Sequence, residues 1–144
     1  MATILGTRYG SAQGWGNAGM VKALDSGDIG VSTSDIAATN LIVGFQAPKG
    51  FVVTGIVLTS TDLDTNGTPT IAITVGDAGS NARFMASTTI GQTGGVNTTL
   101  AAAGAGYLFT VDTDVNIRVA TGAATAASGT LRLQLIGFMA QVYG

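Results

Sequence analysis

Leu131-Arg132-Leu133-Gln134-Leu135 alternates one apolar side chain with one long polar one over five residues. A period of two places the three leucines on one face of an extended chain and Arg132 and Gln134 on the other, the pattern of a strand with one face in a core. The same alternation recurs where Ile71, Ile73 and Val75 enclose Ala72 and Thr74, and where Val115, Ile117 and Val119 enclose Asn116 and Arg118. Two further runs, Leu41 to Gln46 and Phe51 to Ser60, are apolar on both faces. They fit central strands covered on both sides, or strands at a subunit contact. Between them Ala47-Pro48-Lys49-Gly50 offers a Pro that fixes φ and a Gly free to take positive φ, which predicts a hairpin. Asp64-Thr65-Asn66-Gly67 punctuates the next crossing, Asn-Gly being a strong hairpin signal. Shorter strands are expected near Arg83 to Ala86, Asn97 to Leu100 and Tyr107 to Val111.

Around these runs the chain lacks the material of exposed helices. It has no Glu and only six Lys and Arg, while Gly numbers 22. About eight strands separated by turn residues favour a sandwich over a βαβ fold. The expected fold is therefore all-β, a jelly-roll-like antiparallel β-sandwich with an irregular N-terminal arm. Residues 1–38 read as arm and loop, because Gly6 to Gly19 is Gly-rich and Asp25 to Ala38 is small and polar; one strand around Gly19 to Leu24 would join the sheet. Residues 39–144 read as the sandwich domain.

Composition narrows function more than it names it. The chain has 144 residues, eight acidic groups that are all Asp, no His and no Cys. Cysteine nucleophiles, disulfides and histidine-based triads are excluded, and no Ser/Lys motif is formed around Lys22 or Lys49. The six basic residues, Arg8, Lys22, Lys49, Arg83, Arg118 and Arg132, are scattered through a chain of net charge −2. Nucleic acid binding, which needs a concentrated basic patch, is not expected. Leu41 to Leu58 is broken by Gln46, Pro48 and Lys49, so no segment reaches the roughly 20 apolar residues that span a bilayer. Met1-Ala2-Thr3-Ile4-Leu5-Gly6 has neither a basic n-region nor a sustained apolar h-region, which points to cytoplasmic synthesis. Charged residues make up 10% of the chain, against about 25% in ordinary soluble domains. Either Ala, Gly and Thr supply a neutral exterior, or much of that exterior is buried in permanent contacts.

Three motifs carry candidate chemistry. Gly14-Trp15-Gly16-Asn17-Ala18-Gly19 matches the letters of the dinucleotide fingerprint, but no buried strand precedes it and no helix-length pattern follows, so no cofactor is expected. Asp62-Leu63-Asp64-Thr65-Asn66-Gly67 reproduces the first six positions of an EF-hand calcium loop. Its twelfth position is Ile73 instead of Glu, and Asp/Asn/Gly runs also make β-turns by side-chain to backbone hydrogen bonds. Asp62, Asp64 and Asn66 are thus a weak calcium candidate and, more simply, a turn. Asp112, Asp114 and Asn116 run straight into a strand and read as a solvated turn. In the arm, Arg8, Tyr9 and Trp15 are the large side chains, either packed on their own domain or serving as anchors in a partner.

Leu41 to Val53, with its Pro/Gly turn, resembles a strand, turn and second strand of the decoration or cement proteins of tailed bacteriophages. Asp62 to Thr70 followed by Ile71 to Asp77 resembles their acidic loop and the strand ending in Val-Gly-Asp. Ala82 to Thr89 and the closing apolar strand Leu131 to Val142 extend the resemblance over roughly residues 40 to 142. It implies a jelly roll seated on the outside of the virion's capsid, often as a homotrimer, with the major capsid protein as partner and the host cytoplasm as the place of synthesis. A glycan- or receptor-binding β-sandwich of a tail fibre or adhesin is the alternative, and an enzyme is third.

Overall fold

A computed structural model describes residues 21–140. In chain order the strands are β1 Val21–Asp25, β2 Ile29–Val31, β3 Leu41–Ala47, β4 Phe51–Ser60, β5 Ala72–Asp77, β6 Ser80–Thr88, β7 Gly95–Asn97, β8 Thr113–Thr121 and β9 Gly129–Met139. The one helical element among the described residues is a 3-10 turn at Ile90–Gln92, so no helix there is long and apolar enough to cross a membrane. The strands form two sheets in which every pairing is antiparallel. The first runs β1-β9-β4-β7, with β2 also on β9, and the second runs β3-β8-β5-β6. The chain is an all-β sandwich.

The alternating runs sit where their period requires. Leu131, Leu133 and Leu135 face inward opposite Ser60, Leu58 and Ile56 of β4. From the other sheet Ile73 and Val75, with Val115, Ile117 and Val119, complete the core. Phe51, Phe84 and Phe109 close one end, the Phe84 and Phe109 ring centroids lying 5.6 Å apart. Residues expected to be arm and loop contribute to the same body. β1 is the strand anticipated around Gly19 to Leu24, β2 adds three residues, and Val31 and Ile36 are buried.

The Pro48 hairpin does not form. β3 pairs with β8 and β4 with β9, so Ala47 to Gly50 carries the chain from one sheet to the other. Phe51 N–H does donate to the Pro48 carbonyl at 3.2 Å, which closes the turn. The turn's remaining donors are taken by a distant segment: Gly50 N–H donates to the Phe109 carbonyl at 2.7 Å, and Lys49 N–H to the Asp112 carboxylate at 2.8 Å. Turn chemistry is the same for a hairpin and for a crossing between sheets; the long-range partner decides between them. As a consequence β3 lies at an edge instead of in the centre, and β4 is central but has only one face in the core. The Asn66-Gly67 loop likewise crosses between sheets, from β4 to β5, and the tight hairpin is β5–β6 across Asp77 to Ser80. Tyr107 to Val111 forms no strand, only a bridge from Leu108 to Val52, and β7 stops at Asn97.

Candidate interaction surface

Asp62, Asp64 and Asn66 come together in one loop, and their oxygens point at backbone donors. Asp62 accepts from Asp64 N–H at 3.0 Å, Asp64 from Asn66 N–H at 3.3 Å, and Asn66 from Thr68 N–H at 2.8 Å. These are successive Asx turns, the alternative reading of the same spacing. Asp64, 1% exposed, is the centre. Its carboxylate also accepts from the N–H groups of Thr70 at 2.7 Å, Ile71 at 3.1 Å, Ala124 at 2.8 Å and Thr125 at 2.9 Å. Burial pushes this carboxyl up, but the four donors Thr125, Thr70, Ala124 and Ile71 outweigh it and hold the group well below the usual carboxylate range. One side chain thus ties residues 62–71 to residues 124–126. Among the described residues no group of three or more His, Cys, Asp or Glu is placed to hold a metal ion.

The other acidic side chains do similar work. Asp77, buried in the β5–β6 turn, accepts from Gly79 and Ser80 N–H and from Arg83 Nε at 2.7 Å. The hydrogen bond to Asp77 raises the Arg83 guanidinium further above its ordinary value. Arg83 in turn lies over the Tyr107 ring at 4.4 Å from its centroid, a cation-π contact that fastens the 98–107 loop to β6. Asp112 caps the 47–50 turn, and Asp114 and Asn116 lie on the outward face of β8. Arg8, Tyr9, Trp15 and the Gly14–Gly19 motif lie outside the described residues.

What the described residues offer a partner is surface. On the outer face of the first sheet Val21, Phe138 and Val52 stand side by side in register, and Leu108 extends the row through its bridge to Val52. Val21 is 77% and Leu108 44% exposed. Ala23, Ile136 and Gly55 form the next row. A cleft of about 310 Å³ opens at the same end between Lys49, Gly50, Leu108, Phe109, Thr110 and Ala140. The opposite end of the face is polar. There Arg132 holds Asp25 through Nε at 3.0 Å and Nη2 at 2.5 Å, and Gln134 adds a bond at 3.1 Å. The guanidinium of Arg132 keeps the Asp25 carboxyl well below the usual range. A second apolar surface lies on β3, where Leu41 and Val43 are both more than half exposed. Sequence periodicity could have found the first row, since Ile136 and Phe138 continue the outward positions of Arg132 and Gln134 with apolar residues.

No family model matches the chain, and no curated protein matches it. Chains in solved structures do, and two of them match over nearly their whole length. A chain from the capsid of Ralstonia phage GP4 is 29% identical over 95% of this chain and 94% of that chain, with a TM-score of 0.76. A chain of the cyanophage Pam1 capsid asymmetric unit is 34% identical over 95% of this chain and 97% of that chain, with a TM-score of 0.71. Identity at that level across the complete sandwich, with acidic residues spent on turns and the apolar surface turned outward, leads to one assignment. The chain belongs with the cyanophage Pam1 chain in a family of phage capsid proteins, and it is a structural component of the virion.

Proposed function

We propose that the protein decorates the outside of an expanded phage capsid, where it acts as a homotrimer that bridges capsomers and binds the major capsid protein. The observation that carries this reading is the apolar row of Val21, Phe138, Val52 and Leu108 on an outer sheet face, in a chain whose relatives are capsid chains. Large uncovered apolar rows of this kind mark contact surfaces. The mechanism is linkage. A protein that binds only the expanded shell lowers the free energy of that state, by about 2.7 kcal/mol per site when its free concentration is 100 times Kd. Repeated over many sites, this opposes rupture by the packaged genome. A cyclic trimer suits a three-fold position because each copy repeats the same contact. The glycan-binding alternative calls for aromatic platforms, and no aromatic side chain among the described residues is exposed.

Mixing the purified protein with expanded shells that lack it tests the reading. Saturable binding in multiples of three copies and a higher shell melting temperature are the expected results. Absence of binding, or binding without any change in shell melting, overturns it. Sedimentation equilibrium of the free protein tests the trimer separately, with a mass three times that of one 14.3 kDa chain expected.

A further inference from the structure

Two opposite flanks of the sandwich carry almost no charge. β1 lies against β3, and the sheet orders then put β7 and β6 on the far side. From Phe84 to Val111, through most of β6, the 3-10 turn, β7 and the 98–107 loop, the sequence has no charged side chain. Much of this stretch is exposed, and Val96 on β7 is more than half so. Arg83, which precedes it, is already paired with Asp77. The β3 flank is uncharged from Ile36 to Pro48, and Leu41 and Val43 are exposed to the same degree as Val96. Depletion of charge around exposed apolar residues is the composition of the centre of a protein contact.

The margins of the two flanks have opposite charge. Arg118 stands beside Leu41 on the outer face of β8, and among the described residues, which include every Asp of the chain, no carboxylate pairs with it. Asp62 is exposed against Gly94, just before β7, and no cation pairs with it among the described residues. Both groups lie toward one end of the sandwich, since Arg118 is opposite Thr74 near the start of β5 and Asp62 follows the end of β4. We propose that a second copy of this chain covers these flanks. In the homotrimer, on which this inference rests, the β7 side of one protomer packs on the β3 side of the next, Val96 against Leu41 and Val43, with Asp62 facing Arg118. A three-fold axis along the strands keeps each group at its own height, so groups at the same end of the sandwich meet. A contact between two different patches is heterologous, and it closes when each copy is turned by one third of a circle. The row of Val21, Phe138, Val52 and Leu108 lies at the other end of the first sheet from Val96 and Thr59, so the same protomer can meet the shell with it.

The chain has no native Cys, so oxidation of introduced pairs reads the contact directly. Val96→Cys combined in turn with Leu41→Cys and with Val43→Cys is expected to give covalent trimers and nothing larger on a denaturing gel, while Val96→Cys alone gives no link between chains. Links in Val96→Cys alone, ladders beyond three chains, or no link with either partner in a protein that sediments at three times the chain mass overturn this assignment and leave the trimer standing. A protein that sediments as a single chain and forms no links overturns the trimer as well, so the two failures are told apart. Charge exchange supplies the second measurement. Arg118→Asp is expected to weaken trimer association at least about tenfold, because it sets like charges face to face, and Asp62→Arg added to the same chain is expected to restore it. A double variant that associates no better than Arg118→Asp overturns the pairing of these two groups, with circular dichroism confirming that both variants are folded.

Discussion

Asp64 shows how much of this fold hangs on single polar contacts. Its carboxylate gathers N–H groups from three segments, and Asn lacks the charge that those donors share. Asp64→Asn is expected to lower the melting temperature by several degrees, measured by circular dichroism, and by more than Asp62→Asn, whose amide oxygen can still accept from the single Asp64 N–H. The sign of the pH effect follows. Because the folded-state pKa of Asp64 is depressed, its contribution is complete above the unfolded value of about 3.9 and fades as pH falls through the lower folded value. With no His, Cys or Glu in the chain, stability should stay flat from about pH 5 to 9 and fall on the acid side. Asp64→Asn should flatten that acid limb; an acid limb as steep as the parent's would mean that other carboxylates carry it. Gly137 is the second residue on which the fold turns. It faces inward opposite Val53 at the β4 bulge, and a Cβ there would run into the Val52 carbonyl and the Phe51 ring. Gly137→Ala should cost about 3 kcal/mol in urea unfolding. Read along the sequence, Gly137 is only a gap in an alternating run; the approach of Val52 exists only after β4 and β9 have paired.

Elements are where local signals and long-range pairing part company. The alternating runs at 71–75, 115–119 and 131–135 become strands on the faces their periods assign, because burying one face satisfies an alternating strand in any sheet. Turn signals fared differently. Pro48-Lys49-Gly50 and Asn66-Gly67 reverse the chain as their chemistry requires, yet both connect strands of different sheets, since Asp112 and Phe109 bind the first turn and Asp64 the second. The hairpin that does form, β5–β6, depends on Asp77 and Arg83. Arg83→Ala leaves a buried carboxylate without its cation and releases Tyr107, so the expected loss of stability is about 3 kcal/mol. Arg83→Lys keeps the charge but loses the planar contact with the ring, and should recover only part of it. Equal stability of parent and Arg83→Ala in denaturant titration would remove the pair from the account.

At the scale of the molecule the surface takes over from the core. Phe138 is half-buried in the outer apolar row, and Phe138→Ser should weaken shell binding at least tenfold while the sandwich remains folded, since the side chain lies outside the core. Unchanged affinity would move the contact elsewhere on the protein. The sequence by itself determined the all-β class, the inward positions of the alternating strands and the absence of the usual catalytic side chains, because these follow from residue type and from a period of two. Its resemblance to phage decoration proteins pointed to the capsid family to which the full-length relatives assign it. Only the tertiary structure decided which strands pair, that β3 lies at an edge, that Asp64 is a hub for backbone donors, and that Val21, Val52, Leu108 and Phe138 share one row. The paired residues of that row lie from 56 to 117 positions apart, and pairing over such separations is set by which strands bury one another's faces, a choice that no local stretch of sequence contains.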